Sequence, residues 1–307
     1  MAAEGRDVVA RAVSISLGSS RRDSQSEVDF GGKRVSLERI GTDGNADKFT
    51  KLFKELDGSV DALGVGGAVL SLHCFGRSYP LHSVQRLVQV QKTPVVDGSG
   101  VKTVIESKVA QAIEDHRVAQ GLAKRVLICC ATDRYSMAKS FIDEGYEVIV
   151  GDLGFVLGIP LSLRSPRMLD ILSRFILPFA SHFPISWLYP TGKKQEKRTV
   201  AFQSWYDWAT VVAGDYHYIK AHMPKSLSGK IIATNTTTED DVKELRQRGI
   251  SALCTTTPRF GGRSFGTNVL EAGLTAAAGK GRLLCLDELR DVIQTAGIGG
   301  PHMEYFE

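Results

Sequence analysis

"RVLICCATDRYSMAKSFIDEGYEVIVGD", residues Arg125–Asp152, is the stretch on which the fold turns. "RVLICCA" is an unbroken apolar run of strand length. "DRYSMAKSFIDEG" follows with apolar residues at helical spacing and stops at Gly145, and "YEVIVGD" is a second apolar run. Strand, helix and strand in this order make a βαβ unit. Runs that are apolar without alternation suit strands covered on both faces, which is how parallel sheets are built. "ATVVAGD" (Ala209–Asp215), "GKIIATN" (Gly229–Asn235) and "ISALCTT" (Ile250–Thr256) repeat the strand pattern, each separated by a helix-length segment. The C-terminal part is therefore expected to hold a Rossmann-like, mainly parallel sheet.

Upstream, the chain reads as mixed α/β. "VVARAVSISLG" (Val8–Gly18) is strand-like, and "SEVDFGGKRVSLERIG" (Ser26–Gly41) turns at Gly31-Gly32 as a hairpin does. "NADKFTKLFKELDG" offers Asn45 as an N-cap and spaces Phe49, Leu52, Phe53 and Leu56 on a helix face. The pattern breaks at "RVAQGLAKR" (Arg117–Arg125). Two α/β domains with a cleft between them are expected, 1–120 and 121–307, the second carrying an apolar insertion over 160–200. Its segment Met168–Tyr189 is too apolar to leave in water, so it is expected to pack on the other domain or on a second subunit, with a homodimer as the assembly.

The chain has 307 residues, 43% hydrophobic and 23% charged, with a formal charge of +4. That is long enough for two cores and too weakly basic for a dedicated nucleic-acid binder. The one dense basic run, "GKKQEKR" (Gly192–Arg198), reads as a solvated loop. No signal peptide and no membrane-length apolar window is evident. The five cysteines lack metal-ligand spacing, so buried reduced thiols in a cytoplasmic protein are expected, and no metal site.

In a doubly wound sheet, ligands bind beyond the carboxyl ends of the strands. Two threonine triplets fall at that edge, Thr236–Thr238 and Thr255–Thr257. A threonine hydroxyl there caps the next helix or bonds a ligand, and capping needs only one of three. "PRFGGRSFGTNVLEAGL" follows the second triplet. Its glycines permit close backbone approach, and Arg259, Arg263, Ser264 and Asn268 suit a carboxylate or phosphate. Thr255, Thr256 and Thr257 are expected on the same substrate-binding side. "GDYHYIK" adds Asp215 and Tyr218 as substrate contacts and His217 as a proton-transfer group. In the first domain, "VVDGSGVK" places Asp97 and Lys102 as an acid–base pair. "LGSSRRD" (Leu17–Asp23) and "GTDGN" (Gly41–Asn45) read as polar turns.

The unit Arg125–Asp152 has the outline of a dinucleotide-binding βαβ. Asp152 ends the second strand about 20 residues beyond the first turn, where an acid meets a ribose. The turn "CATDRYS" lacks the G-x-G-x-x-G glycines, so Thr132, Asp133 and Arg134 are the groups to contact the dinucleotide, joined by Asn235, Thr236 and Thr237 on a later strand end.

The phrases "SISLGSSRRD", "ERIGTDG", "TPVVDGSG", "GDLGFVLGIPLSLRS", "WLYPTGKKQE", "AGDYHYIK", "NTTTEDDVKELRQRG" and "TTTPRFGGRSFGTNV" resemble a family of bacterial proteins commonly labelled quinate 5-dehydrogenase, over nearly the whole chain. The resemblance implies an N-terminal substrate domain and a C-terminal nicotinamide domain, as in shikimate and quinate dehydrogenases. It implies an NAD(P)-linked oxidoreductase acting on a small polar, carboxylate-bearing metabolite, with NAD as the cofactor and Lys102 with Asp97 as the catalytic pair. Two other readings stay open. "LICCATD" and "ALCTTTP" resemble the paired Cys-Thr strand ends of aspartate/glutamate racemases, with Cys130 and Cys254 as the cofactor-independent proton exchangers. The third is a non-catalytic protein that captures a small anion.

Overall fold

A computed structural model of the protein describes residues 9–184, 199–235, 237–257, 259–260 and 263–306, with the side chains of 259, 260, 263 and 264 left aside. The chain divides into two compact units. One is Met1–Val69, Arg86–Gly100 and Thr267–Ile298; the other is Leu70–Gln85, Val101–Gly266 and Gly299–Glu307. Both are α/β, as the alternation of apolar runs requires. Residue 120, where the sequence places the boundary, lies inside the second unit, just beyond helix Val109–Ala119. Residues 267–298, read from the sequence as part of the second domain, belong to the first unit. Local alternation shows that a helix exists; it does not show which sheet the helix covers.

The first unit is built on a five-stranded sheet in the order Ser24–Asp29, Arg34–Gly41, Ala10–Ser16, Ala62–Gly66, Val95–Val96. The first two form the expected antiparallel hairpin, whose turn holds Gly31 and Gly32 at φ +65° and +88°. The remaining pairs are parallel. Asn45 caps helix Ala46–Leu56 by accepting from Lys48 N at 2.8 Å. Helix Thr267–Ala278 is buried from Val269 to Ala276. Glycines let it sink onto the sheet: a Cβ at Gly64 would lie 2.9 Å from Asn268 O, and one at Gly273 would lie 2.7 Å from Leu37 Cδ2.

The second unit holds a six-stranded sheet ordered His302–Tyr305, Ala252–Thr255, Ile231–Thr234, Val211–Ala213, Arg125–Ile128, Glu147–Val150. Five strands are parallel and only the edge strand His302–Tyr305 runs antiparallel. Alternate residues of each strand face opposite layers. Val126 and Ile128 join one core with Met137, Phe141 and Ile113, while Leu127 and Cys129 join the other with Tyr206, Ile219 and Leu245. That is why "VLICC" is apolar throughout. Numbered along the chain, the parallel strands lie in the order 2-1-3-4-5, so the direction of winding reverses between Arg125–Ile128 and Val211–Ala213. Crevices for ligands open at such switch points.

The apolar insertion forms helix Pro166–Ala180, capped by Ser165 and carrying Pro166 in its first turn. Leu169, Ser173, Leu177 and Ala180 are buried, but Phe175 and Phe179 are 70% and 72% exposed, with Met168 and Ile171 beside them. Residues 185–189 of the expected segment Met168–Tyr189, and Gly192–Arg198, lie outside the described residues. Among the described residues no helix is long and apolar enough to cross a membrane.

Candidate functional site

The two strands flanking the switch point in the second unit are followed by Cys129–Arg134 and by Gly214–His217. Arg134 is 3% exposed and sits between two acids: it pairs with Glu106, which is fully buried, and its Nη2 lies 2.7 Å from Asp215 Oδ2. Burial works against the Arg134 charge, yet Glu106 and Asp215 outweigh it and hold the guanidinium above its ordinary pKa. Burial also pushes Glu106 up, opposed by Arg134 and Lys102. For Asp215, burial is outweighed by Arg134 and His217, and the carboxylate is held well below its usual range. Asn235 Nδ2 donates to Asp215 Oδ2 at 2.9 Å.

Asp215 has a second function at its other oxygen. Oδ1 lies 2.5 Å from His217 Nδ1 and accepts from His217 N at 3.2 Å, which caps helix Tyr216–His222. An ionised carboxylate only accepts, so Nδ1 carries the proton and Nε2 is the free basic nitrogen. Burial lowers the His217 pKa, but the bond to Asp215 outweighs it and the value is raised. The ring is 42% exposed, and the Tyr218 ring lies against it at 3.9 Å. An imidazole fixed by an anchored carboxylate, with one nitrogen open to solvent, is the arrangement of a general acid–base group.

Lys102 joins the same cluster, with Nζ 3.5 Å from Asp133 Oδ1. Asp97 belongs to the first unit and accepts from Ser99 N at 2.9 Å, at the start of helix Ser99–Glu106. Glu106 was missed in the sequence. Its signal is its place four residues after Lys102, within the apolar helix face of Val101, Val104 and Ile105.

Asp152 is used differently from a ribose-binding acid. It is 7% exposed, and its carboxylate accepts from Ala131 N at 2.8 Å, Thr132 N at 2.9 Å and Thr132 Oγ1 at 2.7 Å. Burial raises its pKa and these bonds oppose the rise. Two backbone amides of this turn are thus bonded to the acid that the sequence places against a ribose. Thr132 and Asp152, both expected to contact a dinucleotide, are bonded to each other here.

The triplets divide their tasks. Thr238 caps helix Glu239–Gln247 in a capping box with Asp241. Thr237 and Thr256 each carry a buried hydroxyl with no partner among the described residues. Thr255 and Thr257 are buried at the strand end rather than open to solvent. Thr236 lies outside the described residues. Arg259–Phe260 and Arg263–Ser264 pair as a short antiparallel ladder; the side chains of Arg259, Arg263 and Ser264 lie outside the description. Asn268 belongs to the first unit, where its Nδ2 donates to Ser14 Oγ at 2.5 Å.

The cysteine pair of the racemase reading is not formed. Cys254 lies within its strand and packs into the core, and burial pushes its pKa up to about 12. Cys130 is also buried and raised well above its ordinary value. Two strands intervene between theirs, a separation of about 14 Å at ordinary strand spacing, too far to flank one small substrate. A groove of about 520 Å³ is lined by Lys225 and by Glu244, Gln247 and Arg248 at the carboxyl end of helix Glu239–Gln247, which leads to the amino end of the next strand, away from the charged cluster. Among the described residues no His, Cys, Asp and Glu group is placed to hold a metal.

A doubly wound parallel sheet, with a charged cluster at its switch point, defines the second unit as a Rossmann-like α/β fold. Residues 100–306 match the family described as "Domain of unknown function (DUF8754)", and the chain belongs to it. Residues 11–97 match "Domain of unknown function (DUF8753)". No curated protein matches the chain. Similar solved structures include an NAD-dependent malic enzyme from Thermotoga maritima, 14% identical, TM-score 0.40, covering 95% of this chain and 78% of that one. Another is shikimate 5-dehydrogenase from Thermus thermophilus in complex with shikimate, 10% identical, TM-score 0.34, covering 94% and 100%. A third is GanP, a glucose-galactose binding protein from Geobacillus stearothermophilus, 11% identical, TM-score 0.36, covering 97% and 97%. Likeness at this level transfers no chemistry.

Proposed function

We propose that the protein is an enzyme that moves a proton on a small carboxylate-bearing metabolite, with His217 as the general acid–base group and Asp215 orienting it. The observation that carries this is the 2.5 Å contact of His217 Nδ1 with Asp215 Oδ1, anchored by Arg134 at the switch point of the sheet. The buried Arg134 fixes where Asp215 lies and keeps it ionised. Asp215 then sets the tautomer, so that Nε2 takes a proton from a bound hydroxyl or an acidic C–H and later returns it. Lys102 stands in the same cluster as a cation for the substrate's developing negative charge, and Arg259 and Arg263 are the sequence's candidates for holding its carboxylate.

The second reading is the NAD(P)-linked oxidation of a hydroxyl on a quinate- or shikimate-like acid. What supports it is the βαβ outline of Arg125–Asp152 in a parallel sheet, together with the sequence resemblance. The closed Ala131–Thr132 turn counts against it. One experiment separates the two. The protein is incubated in deuterium oxide with quinate, shikimate and small hydroxy and keto acids, with and without dinucleotide, and the acids are weighed by mass spectrometry. Deuterium entering without dinucleotide in wild type and lost in His217→Asn is the expected result. Turnover only with NAD or NADP favours the second reading. Neither exchange nor turnover in any mixture overturns both.

A further inference from the structure

The turn "LGSSRRD" of the first unit, left by the sequence as an ordinary polar loop, carries a cationic arrangement that the proposed chemistry does not use. It follows strand Ala10–Ser16 at the carboxyl edge of the sheet. A Cβ at Gly18 would lie 3.0 Å from Arg22 Nη2, 3.2 Å from Arg39 Nη2 and 3.2 Å from Ser16 Oγ. Two guanidinium tips and a hydroxyl therefore crowd one patch of bare backbone. Arg39 is held there: its Nη1 donates to Ser19 O at 3.1 Å and to Asp23 Oδ1 at 3.0 Å, and its side chain is 15% exposed. Asp23 is itself held by Gly41 N at 2.6 Å. Among the described residues neither Arg39 Nη2 nor the Arg22 guanidinium has a hydrogen-bond acceptor. Asp43, the other acid nearby, accepts from Ser20 N at 2.8 Å.

Like charges side by side repel, and burial together with the Arg22 charge lowers the Arg39 pKa. The loop is nonetheless fixed in this form by close backbone packing. A Cβ at Gly41 would lie 2.6 Å from Ser19 O and Ser20 N, and one at Gly67 would lie 3.3 Å from Gly18 N. A loop locked so that Arg39 Nη2 and the Arg22 guanidinium converge, with no acceptor for either among the described residues, is complementary to an oxyanion, which binds both by charge-assisted hydrogen bonds.

We infer that Arg22 and Arg39, over Gly18 and Ser16, form an anion site of the first unit for a phosphate or carboxylate group. Arg22 and Arg39 belong to the first unit and His217 to the second. The test is the melting temperature of the full chain titrated with inorganic phosphate in one arm and succinate in the other, each against sodium chloride at equal ionic strength. Wild type is expected to rise beyond the chloride control in at least one arm, and the stronger arm names the group. In Arg22→Gln, whose exposed side chain holds no bond, the apparent affinity is expected to fall about tenfold or more, with the anion-free melting temperature unchanged or higher because a repulsion is removed. His217→Asn is expected to keep the full response, so failure of the proposed chemistry and failure of this site read out separately. No rise beyond chloride in either arm, or an equal rise in Arg22→Gln, overturns the inference.

Discussion

His217 and Asp215 are tied by one short bond, and its consequences run through pH. The raised His217 value means the free base forms only above the ordinary imidazole value of about 6.5. Proton transfer by neutral His217 is therefore expected to climb with pH through that raised value. Asp215→Asn removes the cause and moves the climb to lower pH, which an exchange-rate profile reads directly. Stability has the opposite sign: a raised histidine stabilises fully below its unfolded value, and the gain is lost as pH rises through the folded value. Asp215, held low, contributes stability above its unfolded value of about 3.9 that is lost as pH falls through the folded value. Glu106 gives a sharper test. Removing one partner of a buried ion pair leaves a charge uncompensated, so Glu106→Ala is expected to cost about 3–5 kcal/mol in urea unfolding. A cost under about 1 kcal/mol would mean that Asp215 alone satisfies Arg134. The sequence marked Arg134, Asp215, His217, Lys102 and Asp133 as chemistry-bearing, because charged residues just after apolar runs stand out. It reads partners by nearness in the chain, so the Lys102–Asp133 ion pair and the bonds of Asp152 to Ala131 and Thr132, which join residues 20–31 positions apart, were not legible.

At the scale of elements, helix starts were legible where one residue decides them: Asn45 and Thr238, both read as caps, each cap a helix. The triplets turn this into a paired prediction. Thr238→Val removes a cap and is expected to cost about 1 kcal/mol. Thr256→Val removes a buried hydroxyl without a partner and is expected to leave the urea midpoint unchanged or higher. A loss above about 1 kcal/mol at Thr256 would reveal an acceptor. Helix Pro166–Ala180 shows the limit of patterning. Its apolar residues serve two faces, and only one is buried in its own unit. The other, with Met168, Ile171, Phe175 and Phe179, is the kind of patch that second subunits cover. Wild type is expected to sediment as a homodimer and Phe175→Ser/Phe179→Ser as a monomer; a monomeric wild type removes the expectation.

Across the whole molecule, the two units share one scheme. The parallel strands of the first, numbered along the chain, lie 2-1-3-4, as Arg34–Gly41, Ala10–Ser16, Ala62–Gly66, Val95–Val96. Those of the second lie 2-1-3-4-5. Both therefore place the loop after their first strand at a reversal of winding, and each charged cluster takes a residue from that loop, Arg22 in the first and Arg134 in the second. The scheme was half legible: strands and helices announce themselves by period, whereas strand order and helix ownership depend on contacts far apart in sequence. Helix Thr267–Ala278 is the clearest case. It follows the last parallel strand of the second unit and yet supplies the core of the first, burying Val269, Leu270 and Leu274. At about 1.5–3 kcal/mol for each buried aliphatic side chain, these three alone contribute roughly 5 kcal/mol or more, as much as the whole net stability of many domains. A fragment ending at residue 120 therefore has the complete five-stranded sheet but lacks a face of its core. It is expected to show no cooperative thermal transition by circular dichroism. Adding the peptide 265–298 in trans is expected to restore one, with the transition rising as peptide concentration rises. A fragment 1–120 that melts cooperatively on its own would show that the sheet and helix Ala46–Leu56 suffice, and that the C-terminal helices only reinforce a fold already formed.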